Sequence, residues 1–141
     1  MMPPAQIDLV RSTWEQVMPI ADTAAELFYG RVFEMEPTAR RLFGTDMADQ
    51  RRKLMQTLAV AVAALDKLET LRPALEGLGR RHVEYGVQDH HYDLVGAALL
   101  WTLEQGLGDG FTGPVRDAWI EAYAALATIM RGAAMSGERA A

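Results

Sequence analysis

Apolar residues recur at steps of three and four along almost the whole chain, and this spacing limits the fold more than any other feature of the sequence. In the middle of the chain, Leu54, Leu58, Ala61 and Leu65 follow it, which places them on one face of an α-helix. The alternation of apolar and polar residues that marks β-strands is missing. We therefore predict an all-α fold.

Prolines and glycines divide this pattern into about seven helices of unequal length. Pro19 should end the first helix, because an interior proline loses a backbone hydrogen bond. Pro37 should end the second, because the residue before a proline avoids the helical region, and Gly86 fits a left-handed C-terminal cap. The longer helices are predicted over about residues 7–19, 22–36, 49–68, 73–85, 92–107 and from 112 onward, with a turn-rich segment over 37–46.

Length and composition exclude several classes of function. The 141 residues suffice for one domain, 1–141, with a single core. The net charge of −5 argues against nucleic acid as a partner, because phosphate binding needs a basic surface. The absence of cysteine excludes disulfides and thiol catalysis. The longest apolar run, 58–65, is far shorter than the roughly 20 residues that cross a bilayer, so we expect no membrane partner. The N-terminus lacks a signal pattern, so we expect a cytoplasmic location.

A histidine lies on the apolar face of the helix predicted over residues 73–85. Leu71, Leu75, Leu78 and His82 follow steps of four, three and four, so the imidazole should point inward. This spacing leaves two interpretations open. The histidine is either a core residue hydrogen-bonded to a carbonyl group, or a ligand.

The other two histidines follow Asp89 in a polar stretch between two predicted helices. We expect His90 and His91 to lie in a solvent-exposed loop. No two histidines have the i, i+4 spacing of a helical metal site, and no combination of histidine and glutamate matches a zinc motif. A hydrolytic metal centre is therefore not predicted.

Three further side chains are possible members of a buried site. Gln50 heads the row that continues with Leu54 and Leu58, so it is either an exposed first-turn residue or a polar group at the edge of an apolar space. Tyr29 adjoins the apolar stripe of the second helix, where a phenol needs a hydrogen-bond partner, as an ordinary core tyrosine also does. Phe43, in the corner before the central helix, either covers a flat group or plugs the corner.

Three stretches carry a family resemblance. They are residues 26–29 (ELFY) with Phe33 and Pro37, residues 50–56 (QRRKLMQ), and residues 78–87 (LGRRHVEYGV) continuing to 91–96 (HYDLVG). The chain resembles the single-domain bacterial haemoglobins related to flavohaemoglobins, most closely the high-affinity globins of methane-oxidising bacteria. The resemblance covers nearly the whole chain and implies a globin fold, with about seven helices around a haem pocket.

The resemblance also implies roles for individual residues. In such proteins the histidine matching His82 ligates the haem iron, the phenylalanine matching Phe43 stacks on the porphyrin, and the residues matching Tyr29 and Gln50 face the bound gas. The predicted site therefore has His82 as metal ligand, Tyr29 and Gln50 as donors to the gas, and further contacts to haem b from Phe43, Lys53, Leu54 and Tyr92.

The function implied is reversible oxygen binding at ferrous iron, with conversion of nitric oxide to nitrate by the oxygenated protein. Carbon monoxide is a further expected ligand. No reductase domain is expected in this chain, so an external reductase would have to supply electrons for turnover, and this leaves the assignment as an enzyme open. The alternative is a haem-free globin-like sensor or interaction module with His82 in its core. A peroxidase is less supported, because neither Tyr29 nor Gln50 readily transfers protons near neutral pH.

One residue of the family pattern is missing. Flavohaemoglobin-type proteins commonly place a glutamate in the last helix beside a tyrosine matching Tyr92, and this pair strengthens the proximal histidine. Residues 129–135 contain no acid, and we expect Glu138 to lie beyond reach. The sequence therefore does not predict flavohaemoglobin-like electron donation to the iron.

Overall fold

The computed structural model describes residues 2–140, with side chains up to residue 135. This part of the chain forms six α-helices and four short 3₁₀ helices, and no strand lies within it. The α-helices are α1 (Pro4–Val17), α2 (Ala21–Met35), α3 (Met47–Ala63), α4 (Arg72–Glu84), α5 (Asp89–Leu107) and α6 (Gly113–Ala140). The 3₁₀ helices are Met18–Ile20, Pro37–Leu42, Leu65–Thr70 and Gly108–Gly110. The all-α prediction is confirmed.

Helix α1 packs against α6 through two tryptophans. The ring centroids of Trp14 and Trp119 are 6.2 Å apart, and both side chains are buried. The Nε1 of Trp119 donates a hydrogen bond of 2.9 Å to the buried Oγ1 of Thr13, so the indole is not left with an unsatisfied donor. Helix α1 begins at Pro4, where the missing N–H group costs nothing, and ends before Pro19 as predicted.

Helix α2 ends where the sequence predicts but begins differently. Glu36 has an extended backbone ahead of Pro37, as the steric restriction before proline requires. At the other end, the residue types of Asp22 and Thr23 would predict a cap. Neither residue caps the helix, because α2 begins at Ala21 directly after a 3₁₀ turn, with no side chain accepting a hydrogen bond at its start.

Helix α3 is shorter than its apolar pattern predicts. The side chain of Asp46 caps it by accepting a hydrogen bond of 3.0 Å from the backbone amide of Asp49. The helix ends at Ala63 rather than near Leu68, and the chain continues as a 3₁₀ helix interrupted by the non-helical backbone of Lys67. The apolar pattern continues across this change because Leu65, the first residue of the 3₁₀ helix, is also buried.

Helices α4 and α6 pack closely because a glycine lies between them. A Cβ atom at Gly79 would lie 2.4 Å from the carbonyl oxygen of Met130, so this approach excludes any larger residue. Gly86 follows α4 with a φ of 94°, which confirms the predicted left-handed glycine. Among residues 2–140, no helix is both long and apolar enough to cross a membrane.

Helix α5 begins at Asp89, three residues before its predicted start. The Nδ1 of His91, the third residue of the helix, accepts a hydrogen bond of 2.8 Å from the backbone amide of Gln88, a role that Glu or Gln has at this position in a capping box. The loop predicted for His90 and His91 is therefore wrong, since both lie in the first turn. His90 is exposed as expected, but His91 is only 8% exposed.

Candidate haem site

A tyrosine and a glutamine from different helices meet in an apolar environment. Tyr29, on α2, is buried, and the Nε2 of Gln50 on α3 donates a hydrogen bond of 3.2 Å to its hydroxyl oxygen. Burial raises the pKa of Tyr29 above its ordinary value, and the hydrogen bond from Gln50 opposes this only in part. The phenol therefore stays protonated near neutral pH, and its own proton remains free to be donated.

Aromatic rings enclose this pair on one side. The ring of Phe43 meets that of Tyr29 edge-on, with centroids 5.3 Å apart, and meets that of Phe33 at 5.8 Å. Phe43 is only partly buried. Its ring therefore fills the corner before α3 and still has surface available to an additional group.

The two other contacts predicted on α3 differ in their surroundings. Leu54 is partly buried and packs against the core. Lys53 has an exposed side chain whose ammonium group lies 3.1 Å from the carboxylate of Asp49. Only Leu54 therefore contributes to the apolar interior, while Lys53 lies at its rim, where it can reach only an acidic group at the edge of a cofactor.

His82 lies on α4 with its imidazole partly buried. Burial lowers its pKa, so the ring is neutral near pH 7, as a metal ligand must be. The carbonyl of Leu78, one turn earlier, opposes this shift, but the buried Nδ1 has no well-aligned hydrogen-bond partner among the described residues. The ring is nearly parallel to that of Tyr92 on α5, with centroids 6.5 Å apart.

Tyr92 has a cation beside its ring. Its hydroxyl is buried without a hydrogen-bond partner among the described side chains and backbone, and burial raises its pKa. The guanidinium of Arg131, on α6, lies 5.2 Å from the ring centroid. Asp89 and Asp93 hold this guanidinium at 3.0 and 2.8 Å, and the hydroxyl of Tyr123 donates a hydrogen bond of 2.6 Å to the carbonyl of Tyr92.

Arg131 is the site residue that sequence reasoning missed. The family pattern has an acid in the stretch 129–135, whereas the side chain that reaches Tyr92 is a base. The available signal was the spacing of eight between Tyr123 and Arg131, which places both on one face of α6. The side chain of Glu138 lies outside the described part of the chain.

The helices that carry Gln50 and His82 leave apolar surface that the chain itself does not cover. Helix α3 packs mainly on α2 and α4 mainly on α6, so α3 and α4 make little direct contact with each other. Apolar side chains on both helices are only partly buried: Leu54, Met55, Leu58, Leu78 and Val83. A plate-like apolar cofactor would complete their burial, and His82 offers an axial ligand. The residues therefore fit a haem.

The chain matches the globin family over residues 26–130, and it belongs to this family. Neuroglobin-2 of Oncorhynchus mykiss is 33% identical over 93% of this chain and 92% of that protein. A flavohemoprotein of Vibrio cholerae is 30% identical over 92% of this chain but only 34% of that longer protein. Membership of the family implies haem and diatomic gases as ligands.

Solved structures of bacterial globins have the same fold. An engineered carbene transferase from Rhodothermus marinus, described as a candidate nitric oxide dioxygenase, has a TM-score of 0.89 at 25% identity and covers 99% of this chain and 98% of its own. A globin from Campylobacter jejuni has a TM-score of 0.84 at 22% identity and covers 95% and 97%. The predicted globin fold is confirmed.

Proposed function

We propose that the chain binds haem b through His82 and binds oxygen reversibly, as the high-affinity globins of methane-oxidising bacteria do. Haem supplies an iron centre that takes diatomic ligands and changes oxidation state. The composition supports the b type over the c type, because a chain without cysteine cannot attach haem through the C-x-x-C-H motif. The whole of residues 1–141 would act as one globin domain.

On the α4 side, His82 would hold the iron through Nε2. The lowered pKa keeps its imidazole neutral, and the Leu78 carbonyl is the acceptor available to the proton on Nδ1. Phe43, Leu54 and Tyr92 would exclude water by covering the porphyrin, and the exposed ammonium of Lys53 would meet a carboxylate at its edge.

The hydrogen-bonded pair of Tyr29 and Gln50 is the observation that carries the proposal. A buried phenol that accepts a hydrogen bond from Gln50 keeps its own proton for another acceptor. Among the described residues, no group accepts a hydrogen bond from the Tyr29 hydroxyl. A diatomic ligand that acquires negative charge on its outer atom when bound, as oxygen does, would accept a hydrogen bond from this phenol. Carbon monoxide carries little such charge, so the pair favours oxygen.

Nitric oxide dioxygenation is the activity we propose for the oxygenated protein, with electrons from an external reductase in the cytoplasm. Two comparisons support it: the flavohemoprotein of Vibrio cholerae and the Rhodothermus marinus protein. A nitric oxide electrode and a nitrate assay would test it with a ferredoxin or flavin reductase added. With reductase present, nitric oxide consumption that stops after one equivalent per haem would show that the protein does not turn over. Absence of nitrate formation would restrict the function to binding.

Replacing either distal donor should speed oxygen release. Tyr29→Phe removes the phenol donor, and Gln50→Leu removes the second N–H of an amide whose first N–H is donated to Tyr29. A hydrogen bond to a charged acceptor is worth about 1.5–3 kcal/mol, which is roughly 10- to 150-fold in an equilibrium constant. The double variant need not show the product of the two effects, because neighbouring donors are coupled. Stopped-flow measurements would give the dissociation rates of oxygen and of carbon monoxide, and the rate for carbon monoxide should change much less.

Tyr85→Phe and Gln56→Leu are matched controls. Both residues are exposed, so the same chemical changes there should leave oxygen release unaltered. Unchanged oxygen release in both distal variants would show that Tyr29 and Gln50 are packing residues only.

His82→Ala should abolish stable haem binding, because it removes the axial bond to iron. Haem titration followed by the Soret band would measure this, with His90→Ala as the control, since His90 is exposed. A parent protein that folds but never develops a Soret band would identify a haem-free sensor or interaction module instead. An unchanged ferrous spectrum in His82→Ala would refute the ligand assignment.

A further inference from the structure

Two imidazoles and one carboxylate meet outside the haem site, at the junction of α2 and α5. The Nε2 of His90 lies 2.9 Å from Oε1 of Glu36, and the Nε2 of His91 lies 2.7 Å from Oε2. Glu36 follows α2, while the histidines lie 54 and 55 residues later in the chain. Each carboxylate oxygen therefore faces a different imidazole nitrogen.

In this cluster of Glu36, His90 and His91, the His91 ring is held in place and the His90 ring is accessible to solvent. The side chain of His91 is 10% exposed, that of Glu36 28% and that of His90 54%. Gln88 fixes the His91 ring by its amide hydrogen bond to Nδ1. Burial by itself would raise the pKa of Glu36, but the hydrogen bonds from His90 and His91 outweigh it and lower the pKa. Glu36 is thus an anion at neutral pH, open to solvent on the His90 side.

We propose that Glu36, His90 and His91 form a binding site for a divalent transition metal of the zinc type. One ligand atom from each residue can be chosen so that all three lie within 4.8 Å of one another. Tetrahedral zinc with bonds of about 2.0–2.2 Å needs its ligand atoms roughly 3.3–3.6 Å apart. Small side-chain rotations would therefore suffice, and the exposed side at His90 admits water as a fourth ligand.

Two features favour zinc, copper(II) or nickel over magnesium or calcium. Imidazole nitrogen suits the former ions, whereas the latter prefer sets made of oxygen ligands alone. The ligand set also contains only one carboxylate, so a bound divalent ion would leave the cluster with a single positive charge. The site would tie the end of α2 to the start of α5.

Metal binding would change the hydrogen bond at the start of α5. While Nδ1 of His91 accepts from the Gln88 amide, the neutral ring carries its proton on Nε2, toward Glu36. Ligation of the metal through Nε2 moves that proton to Nδ1, which can then no longer accept a hydrogen bond. The backbone N–H of Gln88 must then bond to water instead, and water is within reach because Gln88 is exposed. The loss of one such hydrogen bond reduces the affinity by about tenfold or less.

Isothermal titration with zinc chloride tests the site, using the purified protein in its carbon monoxide form so that the iron does not contribute. The expected result is one saturable zinc per chain. His90→Ala and Glu36→Gln should each weaken binding by more than about tenfold, since even partners one shell beyond a metal ligand contribute 10- to 100-fold. Zinc should also raise the Tm of the parent and not that of His90→Ala.

Glu34→Gln is the matched control, because it makes the same change in charge on α2 at an exposed position. It should bind zinc as the parent does. His90 is itself exposed, so His90→Ala cannot lose binding through unfolding of the core, and circular dichroism would verify this. Absence of saturable binding in the parent, or equal binding by the parent, His90→Ala and Glu36→Gln, would overturn the proposal.

Discussion

Gly79 lies against the backbone of α6, and an added methyl group there would have no room. The Cβ of Gly79→Ala would lie 2.4 Å from the carbonyl oxygen of Met130 and 2.9 Å from its Cα. These are backbone atoms, which cannot rotate away as a side chain can. Ordinary van der Waals contact begins near 3.4 Å, so α4 and α6 would have to separate by several tenths of an ångström to about 1 Å.

Gly77, on the same helix, provides the matched control. A Cβ atom there would meet only the guanidinium of Arg81, at 3.5 Å. Both substitutions gain about 1 kcal/mol in helix propensity, but only Gly79→Ala suffers overpacking, which costs about 1–3 kcal/mol. Gly77→Ala should therefore be the more stable of the two by about 1–3 kcal/mol.

Urea unfolding followed by circular dichroism at equal haem content would measure this difference. Because His82 follows Gly79 by one turn of α4, displacement of the helix should also move the imidazole and change the ferrous Soret spectrum. Equal unfolding free energies for the two alanine variants would refute the packing argument. A stabilised Gly79→Ala would mean that α4 and α6 lie further apart than the structure shows.

Two further predictions concern stability. Thr13→Val should lower the free energy of unfolding by about 1–3 kcal/mol, because it leaves the buried indole N–H of Trp119 without an acceptor. Ser12→Ala, at an exposed hydroxyl, should change that free energy by less than about 0.5 kcal/mol. Equal effects of the two substitutions would contradict the buried hydrogen bond. The folded-state pKa of Glu36 lies below its ordinary value of 4.5, so its contribution to stability is complete above that pH and is lost as the pH falls through the lower folded value. Glu36→Gln should flatten the acid limb of the urea midpoint plotted against pH from 7 to 3, whereas Glu34→Gln should retain the parent's slope.

The helices were predictable where local physics determines them. The apolar spacing that places Leu75 and His82 on one face also forms α4, and Gly86 ends that segment because its φ of 94° suits glycine. The contact of Tyr29 with Gln50 is different. Residues 21 positions apart have no spacing that brings them together, so only the family resemblance suggested that they share one site.

The start of α5 was not predictable from local signals. Its first turn is stabilised by the imidazole of His91, which accepts a hydrogen bond from the Gln88 amide, whereas the capping-box pattern has Glu or Gln at this position. The position of Glu36 depends in turn on how α2 crosses α5, a tertiary contact between distant segments. Scanning the sequence for metal motifs misses such a cluster, because two ligands are adjacent and the third is more than 50 residues away.

The two sides of the proposed haem site differ in electrostatic character, and this difference bears on function. On the α2 and α3 side, Tyr29 and Gln50 offer hydrogen-bond donors to a ligand. On the α4 side, the cation near Tyr92 is Arg131, which cannot accept a proton from the phenol, and the carboxylates that hold Arg131 are engaged with it. Among the residues whose side chains are described, the Leu78 carbonyl is therefore the only group that increases the basicity of the His82 imidazole. Strong electron donation from the proximal ligand is what promotes cleavage of an oxygen–oxygen bond, and without it the distal donors stabilise an intact ligand. This combination suits oxygen binding better than peroxidase chemistry.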